Sequence, residues 1–269
     1  MLVRDHGRRH IAWFDVHVPH NGKVEEALEF AHETGCDHFI IGGDFLNLEW
    51  ASHWNEKVFG EIGKTKLREM LFAEIDAGEK LIKRIRQAIP KDARLWYIPG
   101  NHESWLWYAC FYHRIVEVPW SADSITFKSD VAALLDRGLG SLLARLLNAK
   151  KYRMTVLPYN EPLKIGSLVY LHGHQFGGAN PTGTSARKWP HVNMVYGHHH
   201  THEVRTIYNS ADSRQTFQHV ACPALCGLSP GYLQDKATRW LQGFWVADFK
   251  NGLFDGRVVK LLDGMVIRS

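Results

Sequence analysis

Five short polar clusters stand out in the sequence, and each of them directly follows a run of apolar residues. In chain order they are Asp15-Val16-His17, Gly42-Gly43-Asp44, Gly100-Asn101-His102-Glu103, His172-Gly173-His174 and Gly197-His198-His199-His200. Their side chains are carboxylates, imidazoles and one carboxamide, and imidazole and carboxylate groups are ligands that suit Mn, Fe, Zn or Ni. Two divalent cations about 3.5–4 Å apart can hold a phosphate oxygen and generate hydroxide near neutral pH. The residue types therefore predict metal chemistry of a hydrolytic kind.

Each cluster needs an element that positions it, and the pattern predicts a strand before each one. The strands are expected at 11–14, 39–41, 95–98, 168–171 and 192–196. A helix is predicted between the first two strands, over about 22–34, because Val24, Ala27 and Ala31 recur at helical spacing. Gly35 is expected to end this helix. The resulting βαβ opening favours parallel pairing, so polar groups at the ends of adjacent strands can converge.

The rest of the chain is predicted to be helical in its middle and rich in strands after residue 153. Apolar spacing indicates helical regions within 50–90, 105–116 and 131–147, and Gly138 and Gly140 are expected to interrupt the last one. The pair Pro99-Gly100 is a turn signal, and it predicts that Asn101 and His102 lie on a loop.

The composition is that of a soluble globular protein, with 45% hydrophobic and 22% charged residues over 269 positions. The apolar runs fall short of the ~20 residues that span a bilayer. The basic, polar N-terminal segment is not followed by the apolar stretch of a secretory signal, so a cytoplasmic location without a membrane partner is expected. The four cysteines form no disulfide framework and are predicted to be small buried thiols.

The order and spacing of the clusters resemble the calcineurin-like metallophosphoesterases, whose pattern runs D-x-H, G-D, G-N-H-[DE], H and G-H-x-H. The resemblance covers roughly residues 11–205. It departs from the family pattern at Asn47, where family members often carry a second acid three residues after the G-D aspartate. The resemblance implies an α/β fold, a four-layer αββα sandwich in which two sheets are flanked by helices. It is expected as a single domain over 1–269, with helical insertions at about 50–92 and 104–150.

Carried over by position, the resemblance implies two metal ions that share Asp44 as a bridging ligand. The first ion would take Asp15, His17, Asp44 and His200, and the second Asp44, Asn101, His172 and His198. Mn²⁺ is the preferred metal, with Fe, Zn, Ni or Mg as alternatives. His102 resembles the imidazole that contacts the phosphate and assists the leaving group, although it could instead orient Asn101. Glu103 is interpreted as a partner for His102 or for a ligand histidine.

The histidine tract that runs from His198 to His202 permits two registers. Gly197 favours the G-H-x-H register, in which His198 and His200 point to the metals and His199 points away. The alternative register uses His200 and His202. His174 could line the site or be exposed, and we leave it outside the ligand set.

The substrate class is less well specified than the metal site. Residues 57–94 carry ten Lys or Arg against six Asp or Glu, and aromatic residues crowd the loops after two motifs: Phe45, Trp50, Trp105, Trp107 and Tyr108. These could form a stacking platform beside a cationic groove, or they could simply pack inserted helices on the sheet. Arg187-Lys188-Trp189 is a further phosphate contact or a solvated loop.

The prediction is therefore a dinuclear phosphoesterase acting on a phosphodiester, nucleotide or nucleic acid. A phosphomonoesterase is the alternative, and a catalytically idle nucleic-acid-binding module is a third reading. The oligomeric state is left open.

Overall fold

Two mixed β-sheets form the centre of the fold. The computed structural model describes residues 1–3, 7–20, 22–52, 62–112, 138–208, 216–228, 237–262 and 265–268. The strands are β1 (Leu2–Val3), β2 (Arg9–Trp13), β3 (His38–Ile41), β4 (Arg94–Tyr97), β5 (Met154–Val156), β6 (Leu163–Ile165), β7 (Leu168–Leu171), β8 (Asn193–Tyr196), β9 (Glu203–Tyr208), β10 (Thr216–Ala221), β11 (Gly243–Lys250), β12 (Leu253–Leu262) and β13 (Met265–Arg268). The helices are α1 (Val24–Thr34), α2 (Lys64–Ala88), α3 (Asn101–Tyr112) and α4 (Pro181–Lys188), with a 3₁₀ turn at Glu49–Ala51 and a helical segment over 138–146.

One sheet has the strand order β13-β12-β11-β2-β3-β4-β5, and the other has the order β1-β6-β7-β8-β10-β9. In the first sheet, β2, β3, β4 and β5 run parallel to one another, and β11 pairs with β2 antiparallel. In the second, β7, β8 and β10 run parallel to one another. Parallel neighbours end at the same edge of a sheet, and three of the predicted motif strands are adjacent in the first sheet.

The side chains of the first sheet alternate between two cores. In β2, Ile11 and Trp13 face the helices, whereas Ala12 faces the second sheet. The outer face of the second sheet packs Leu171, Tyr196 and neighbouring residues in a third cluster with Trp189, which follows α4. The layers are therefore helices, sheet, sheet and helix, which confirms the predicted α/β sandwich.

The predicted opening of the chain is confirmed. Helix α1 occupies Val24–Thr34 and buries Val24, Ala27 and Ala31, and Gly35 adopts a φ of 64° after its last residue. Helix α2 lies within the predicted insertion at 50–92. Three strands and a helix were not predicted, namely β1, β6, β13 and α4. The three strands are too short to show periodicity, and α4 follows Asn180, whose side chain accepts from the Gly183 N–H as an N-cap.

Two predictions of local structure were wrong. Asn101 and His102 do not lie on a loop, because α3 begins at Asn101. The helix can start there since Asp44 Oδ1 accepts from the His102 N–H at 2.9 Å and Glu103 accepts from the Gly100 N–H at 2.7 Å. Gly140 does not interrupt its helix, and it is needed for close packing: a Cβ there would lie 2.2 Å from the Leu157 carbonyl oxygen.

Within the described ranges, no helix combines the length and apolar character needed to cross a lipid bilayer.

Candidate metal centre

The five motifs meet at one edge of the two sheets. Strands β2, β3 and β4 end just before the Asp15, Asp44 and Asn101 motifs, and β7 and β8 end just before the two histidine motifs of the other sheet. Backbone hydrogen bonds tie the loops together: the Asp15 N–H donates to the Gly43 carbonyl at 3.1 Å, and the Gly197 N–H donates to the His172 carbonyl at 2.8 Å. Topology therefore places all five loops beside one another.

Asp44 belongs to two separate groups of potential metal ligands. One group is His17, Asp44 and His102, and the other is Asp44, His172 and His198. Within each group the ligand atoms all lie within 4.8 Å of one another. Ligand atoms at ~2.0–2.2 Å from one ion can be at most about 4.4 Å apart, so each group nearly has the dimensions of a metal site. A carboxylate common to both groups is placed as a bridge would be.

The remaining predicted ligands lie at the same place. Asp15 Oδ1 lies 3.4 Å from His200 Nε2, and Asp15 Oδ2 accepts from the His198 N–H at 2.8 Å. Asn101 Oδ1 lies 2.9 Å from His172 Nε2. All seven predicted ligands are thus connected to one cluster through contacts of this kind. Their roles as ligands stay a prediction, but the side chains occupy the positions that it requires.

The cluster contains buried polar atoms that the protein leaves unsatisfied. Within the described residues, His17 Nε2 has no hydrogen-bond partner and Asp15 Oδ1 has only its ion pair with His200 at 3.4 Å, although the two residues are 7% and 0% exposed. An unsatisfied buried polar atom costs about 1–3 kcal/mol. A carboxylate oxygen and an imidazole nitrogen are both lone-pair donors, so a divalent cation would satisfy them together, and the donor set fits such an ion.

The backbone at the site is strained. Asp15, His17, Asp44, His198 and His200 have φ values of 51°, 51°, 46°, 69° and 54°. Positive φ is uncommon for residues other than glycine and costs on the order of 1–3 kcal/mol where the surroundings impose it. These residues come from three different loops, so the strain is a property of the site. It turns the five side chains toward a common centre.

Gly100 allows the Asp44 loop and the start of α3 to approach closely. A Cβ at this position would lie 2.2 Å from Asp44 Oδ1 and 2.4 Å from the Asp44 backbone nitrogen. Only glycine fits there without displacing Asp44. The approach also brings the N-terminal end of α3 to the Asp44 carboxylate, where the helix dipole stabilises negative charge.

Glu103 has a different role from the one predicted. Its oxygens accept from the backbone N–H groups of Asp44 at 3.1 Å, Leu46 at 2.9 Å and Gly100 at 2.7 Å. Burial, followed by the nearby Asp44 charge, raises the pKa of this carboxyl. Glu103 therefore holds the backbone of the Asp44 loop.

The ligand histidines fall into two electrostatic classes. Burial opposes the charged form of His172 and His200, but Asp44 and Asp15 outweigh it and raise their pKa values to about 9 and about 10. Burial dominates at His17 and His198 and lowers both pKa values to about 3. Without metal, two ligand imidazoles are therefore protonated at neutral pH and two are neutral.

Each protonated histidine is oriented by the group that contacts its Nδ1 atom. His172 Nδ1 lies 3.2 Å from the Gly42 carbonyl, which leaves Nε2 at 3.1 Å from Asp44 Oδ2. His200 Nδ1 lies 3.8 Å from Cys226 Sγ, and its Nε2 faces Asp15. Groups of this kind fix the tautomer of a metal-binding histidine. Sequence reasoning missed Cys226, although it follows β10, whose end lies at the same edge as that of β8.

His102 lies against the cluster and is partly open to solvent. Its Nε2 is 3.7 Å from Asp44 Oδ2, and its side chain is 17% exposed. Its Nδ1 makes a short contact with the Asn47 carbonyl oxygen. Because a carbonyl only accepts hydrogen bonds, Nδ1 carries a proton and Nε2 is the nitrogen directed at the site. Trp105 packs on the ring with a centroid distance of 3.9 Å.

The histidine tract adopts the arrangement expected for G-H-x-H. His198 lies in a ligand group with Asp44, and His200 contacts Asp15, whereas His202 is half-buried and belongs to none of the ligand groups in the described residues. His199 packs beside His198 at a centroid distance of 5.0 Å and is half-buried. His174 lines the site, because its ring lies 5.7 Å from His172 and stacks on Tyr159.

The proposed stacking platform and basic groove find little support. Phe45 and Trp50 are buried in the core and unavailable to a base. Arg84 pairs with Glu25 of α1, and Arg86 donates to the Ala93 carbonyl, just before β4 begins, whereas the site follows the end of β4. The side chains of Trp107 and Tyr108 lie outside the described residues. Arg187 and Lys188 end α4, and Lys188 donates to the Gln175 carbonyl at 2.8 Å.

Comparisons with known proteins give likenesses of fold only. No family model matches the sequence, and no curated protein matches it. Among solved structures, a single mutant of Vps29 from Entamoeba histolytica is 13% identical with a TM-score of 0.47, and 96% of each chain is covered. A structure named as a candidate diadenosine tetraphosphatase is 12% identical with a TM-score of 0.39, again with 96% of each chain covered. Phosphopantetheinyl hydrolase from Mycobacterium tuberculosis is 13% identical with a TM-score of 0.33, covering 87% of this chain and 95% of that chain.

Because each TM-score is below 0.5, these likenesses do not bear on the activity of the chain. The structure itself shows an α/β sandwich on which the five sequence motifs come together.

Proposed function

We propose that this protein is a phosphoester hydrolase that uses two divalent cations bridged by Asp44. The observation that carries the proposal is the membership of Asp44 in two ligand groups, one with His17 and one with His172 and His198. The buried His17 Nε2, which has no hydrogen-bond partner among the described residues, and the buried Asp15 carboxylate support it, because both can donate a lone pair to a cation. Two ions arranged in this way, when bound, supply Lewis acidity and a hydroxide nucleophile at neutral pH.

The side chains divide the remaining work. Asp15, His17 and His200 would hold one ion, and Asn101, His172 and His198 would hold the other. Hydrolysis forms a bond from a water oxygen to phosphorus and breaks the bond to the leaving oxygen, which then needs a proton. His102 delivers this proton from Nε2, while Nδ1–H stays on the Asn47 carbonyl. Mn²⁺ is the proposed metal, with Fe, Zn, Ni or Mg as alternatives.

The substrate is proposed to be a phosphodiester or a nucleotide, with a phosphomonoester as the alternative. Arg84 is paired with Glu25, and Arg86 donates to the Ala93 carbonyl at the opposite end of β4, which favours a compact substrate over a long nucleic acid. His174 stacked on Tyr159 beside the histidine ligands offers an aromatic wall on which a planar group of the substrate can rest.

A substrate panel tests the proposal. Protein loaded with Mn²⁺, and separately with Zn²⁺, is given a nitrophenyl monoester, a bis-nitrophenyl diester, nucleotides, and labelled single-stranded and double-stranded DNA and RNA. Hydrolysis that requires metal and is lost in Asp44→Asn, but kept in Glu69→Gln on the exposed face of α2, is the expected result. Failure to hydrolyse any phosphoester with metal content verified would overturn it.

A further inference from the structure

A buried carboxylate outside the sequence motifs lies behind the Asp44 loop. Glu74 is on α2 and is 7% exposed. Its Oε2 accepts from the Leu48 backbone N–H at 2.7 Å, and its Oε1 accepts from the Trp50 indole N–H at 2.9 Å. Both donors are uncharged, no cationic side chain pairs with Glu74 among the described residues, and a buried carboxylate in such surroundings is costly to fold. Burial accordingly raises the pKa of Glu74 to about 7. A costly group of this kind needs an explanation.

One peptide group connects Glu74 to His102. The N–H of the Asn47–Leu48 peptide is the donor to Glu74, and the carbonyl of the same peptide accepts from His102 Nδ1–H. A peptide is planar, so fixing the direction of its N–H also fixes the direction of its carbonyl. Leu48 itself has a φ of 44°, which shows that this turn is held in an unusual conformation.

We propose that Glu74 is a positioning residue for His102 and acts through the Asn47–Leu48 peptide. By holding the Leu48 N–H, it aims the Asn47 carbonyl at Nδ1, and this keeps Nε2 directed toward Asp44 and the substrate. The proposal rests on the proposed function, in which His102 protonates the leaving group. Glu74 thus links an inserted helix to the chemistry, and Trp50 completes the pair of donors that holds the carboxylate in place.

The first experiment measures how the rate depends on the leaving group. General acid catalysis contributes about 10²–10⁴-fold and matters most for a poor leaving group. Glu74→Leu removes the acceptor, and we expect kcat to fall about 10- to 100-fold for a phenyl ester but less than about 3-fold for a dinitrophenyl ester. KM and metal content should not change. An equal fall for both esters would overturn the proposal, because loss of general structure or of metal affects both alike.

Matched variants separate positioning from general damage. Glu69→Gln neutralises an exposed carboxylate on the same helix and should leave both rates unchanged. Glu74→Gln has one acceptor oxygen for two donors, so its NH₂ group faces one of the two N–H groups. Its kcat for the phenyl ester should fall like that of Glu74→Leu. Adding Trp50→Phe removes the indole donor, so the glutamine oxygen can accept from the Leu48 N–H. The kcat of the double variant for the phenyl ester should therefore return to within about 3-fold of the wild-type value. If Glu74→Leu fails to fold, the comparison of Glu74→Gln with the double variant decides, and no recovery there would overturn the proposal.

A spectroscopic readout does not depend on activity. In protein freed of metal by chelation and labelled with ¹⁵N-histidine, the hydrogen-bonded His102 Nδ1 proton should give a downfield signal, assigned by its loss in His102→Gln. This signal should move upfield or exchange with water in Glu74→Gln and return in the double variant. An unchanged signal in Glu74→Leu, which has no acceptor for the Leu48 N–H, would overturn the proposal. If the wild type hydrolyses no phosphoester, the proposed function fails, while this measurement still decides the role of Glu74.

Discussion

The metal-free site should keep two of its histidines protonated well above neutral pH, each through a different aspartate. His172 contacts Asp44 at 3.1 Å and His200 contacts Asp15 at 3.4 Å. Burial pulls both pKa values down, but the carboxylates outweigh it and raise them from 6.5 to about 9 and about 10. For His172 this rise corresponds to on the order of 3 kcal/mol in favour of the charged ring.

The perturbation is a pair of isosteric substitutions, Asp44→Asn and Asp15→Asn. Removing the Asp44 charge takes away the main opposition to burial at His172 and leaves only the weaker effects of Asp15 and Glu103, so the pKa of His172 should fall by more than that of His200. Asp15→Asn should do the reverse. The raised pKa values also set a sign for stability: the two contacts stabilise the metal-free fold below pH 6.5, and this contribution is lost as pH rises through about 9 and about 10.

The assay is a histidine NMR titration of chelated protein from pH 5 to pH 11, with thermal melts along the same range. The His172→Gln and His200→Gln variants assign the two signals. Ordinary pKa values for both rings in the wild type would refute the reasoning. So would a parallel fall of both values in one aspartate variant, because that would show a collapsed site and not two separate ion pairs.

Three further predictions concern the metal and its approach. Metal affinity should rise with pH between 7 and 9, by up to about 100-fold per pH unit, because binding must displace the protons of two imidazoles. Calorimetry in buffers of different ionisation enthalpy counts these protons. A metal affinity that does not depend on pH would contradict the expectation. Asp44→Asn should lower the metal affinity of both positions, whereas Asp15→Asn should lower that of one. The metal content is measured by mass spectrometry, and Asp44 does not bridge if Asp44→Asn retains two metals at wild-type affinity. His198→Ala should abolish activity and His202→Ala should keep most of it, and the opposite ranking in steady-state rates would favour the other register of the tract.

Local patterning predicted a large part of the fold. Apolar residues at spacing four predicted α1, and apolar runs predicted β2, β3, β4, β7 and β8 to within a few residues, because burial of one face imposes a periodicity on the chain itself. The same runs located the polar clusters at strand ends. Local patterning failed at the start of α3. There Glu103 accepts from the Gly100 N–H, but the His102 N–H donates to Asp44, which belongs to a different segment, so the nearby sequence carries only part of the signal for the boundary.

In the candidate site, too, some features follow from the local sequence and others from contacts between distant segments. The sequence by itself determined which side chains are available, their order, and their position after strands. Only the tertiary structure decided that Asp44 lies between His17 and His172, that Glu103 binds backbone N–H groups, and that Arg86 lies at the other end of β4. His172 and the Gly42 carbonyl that orients it are 130 positions apart in the chain. A periodic pattern reports which face of an element is buried but not which group that face contacts. Hydrogen bonds, ion pairs and pKa values depend on the distance in space between such groups, which the pattern does not contain.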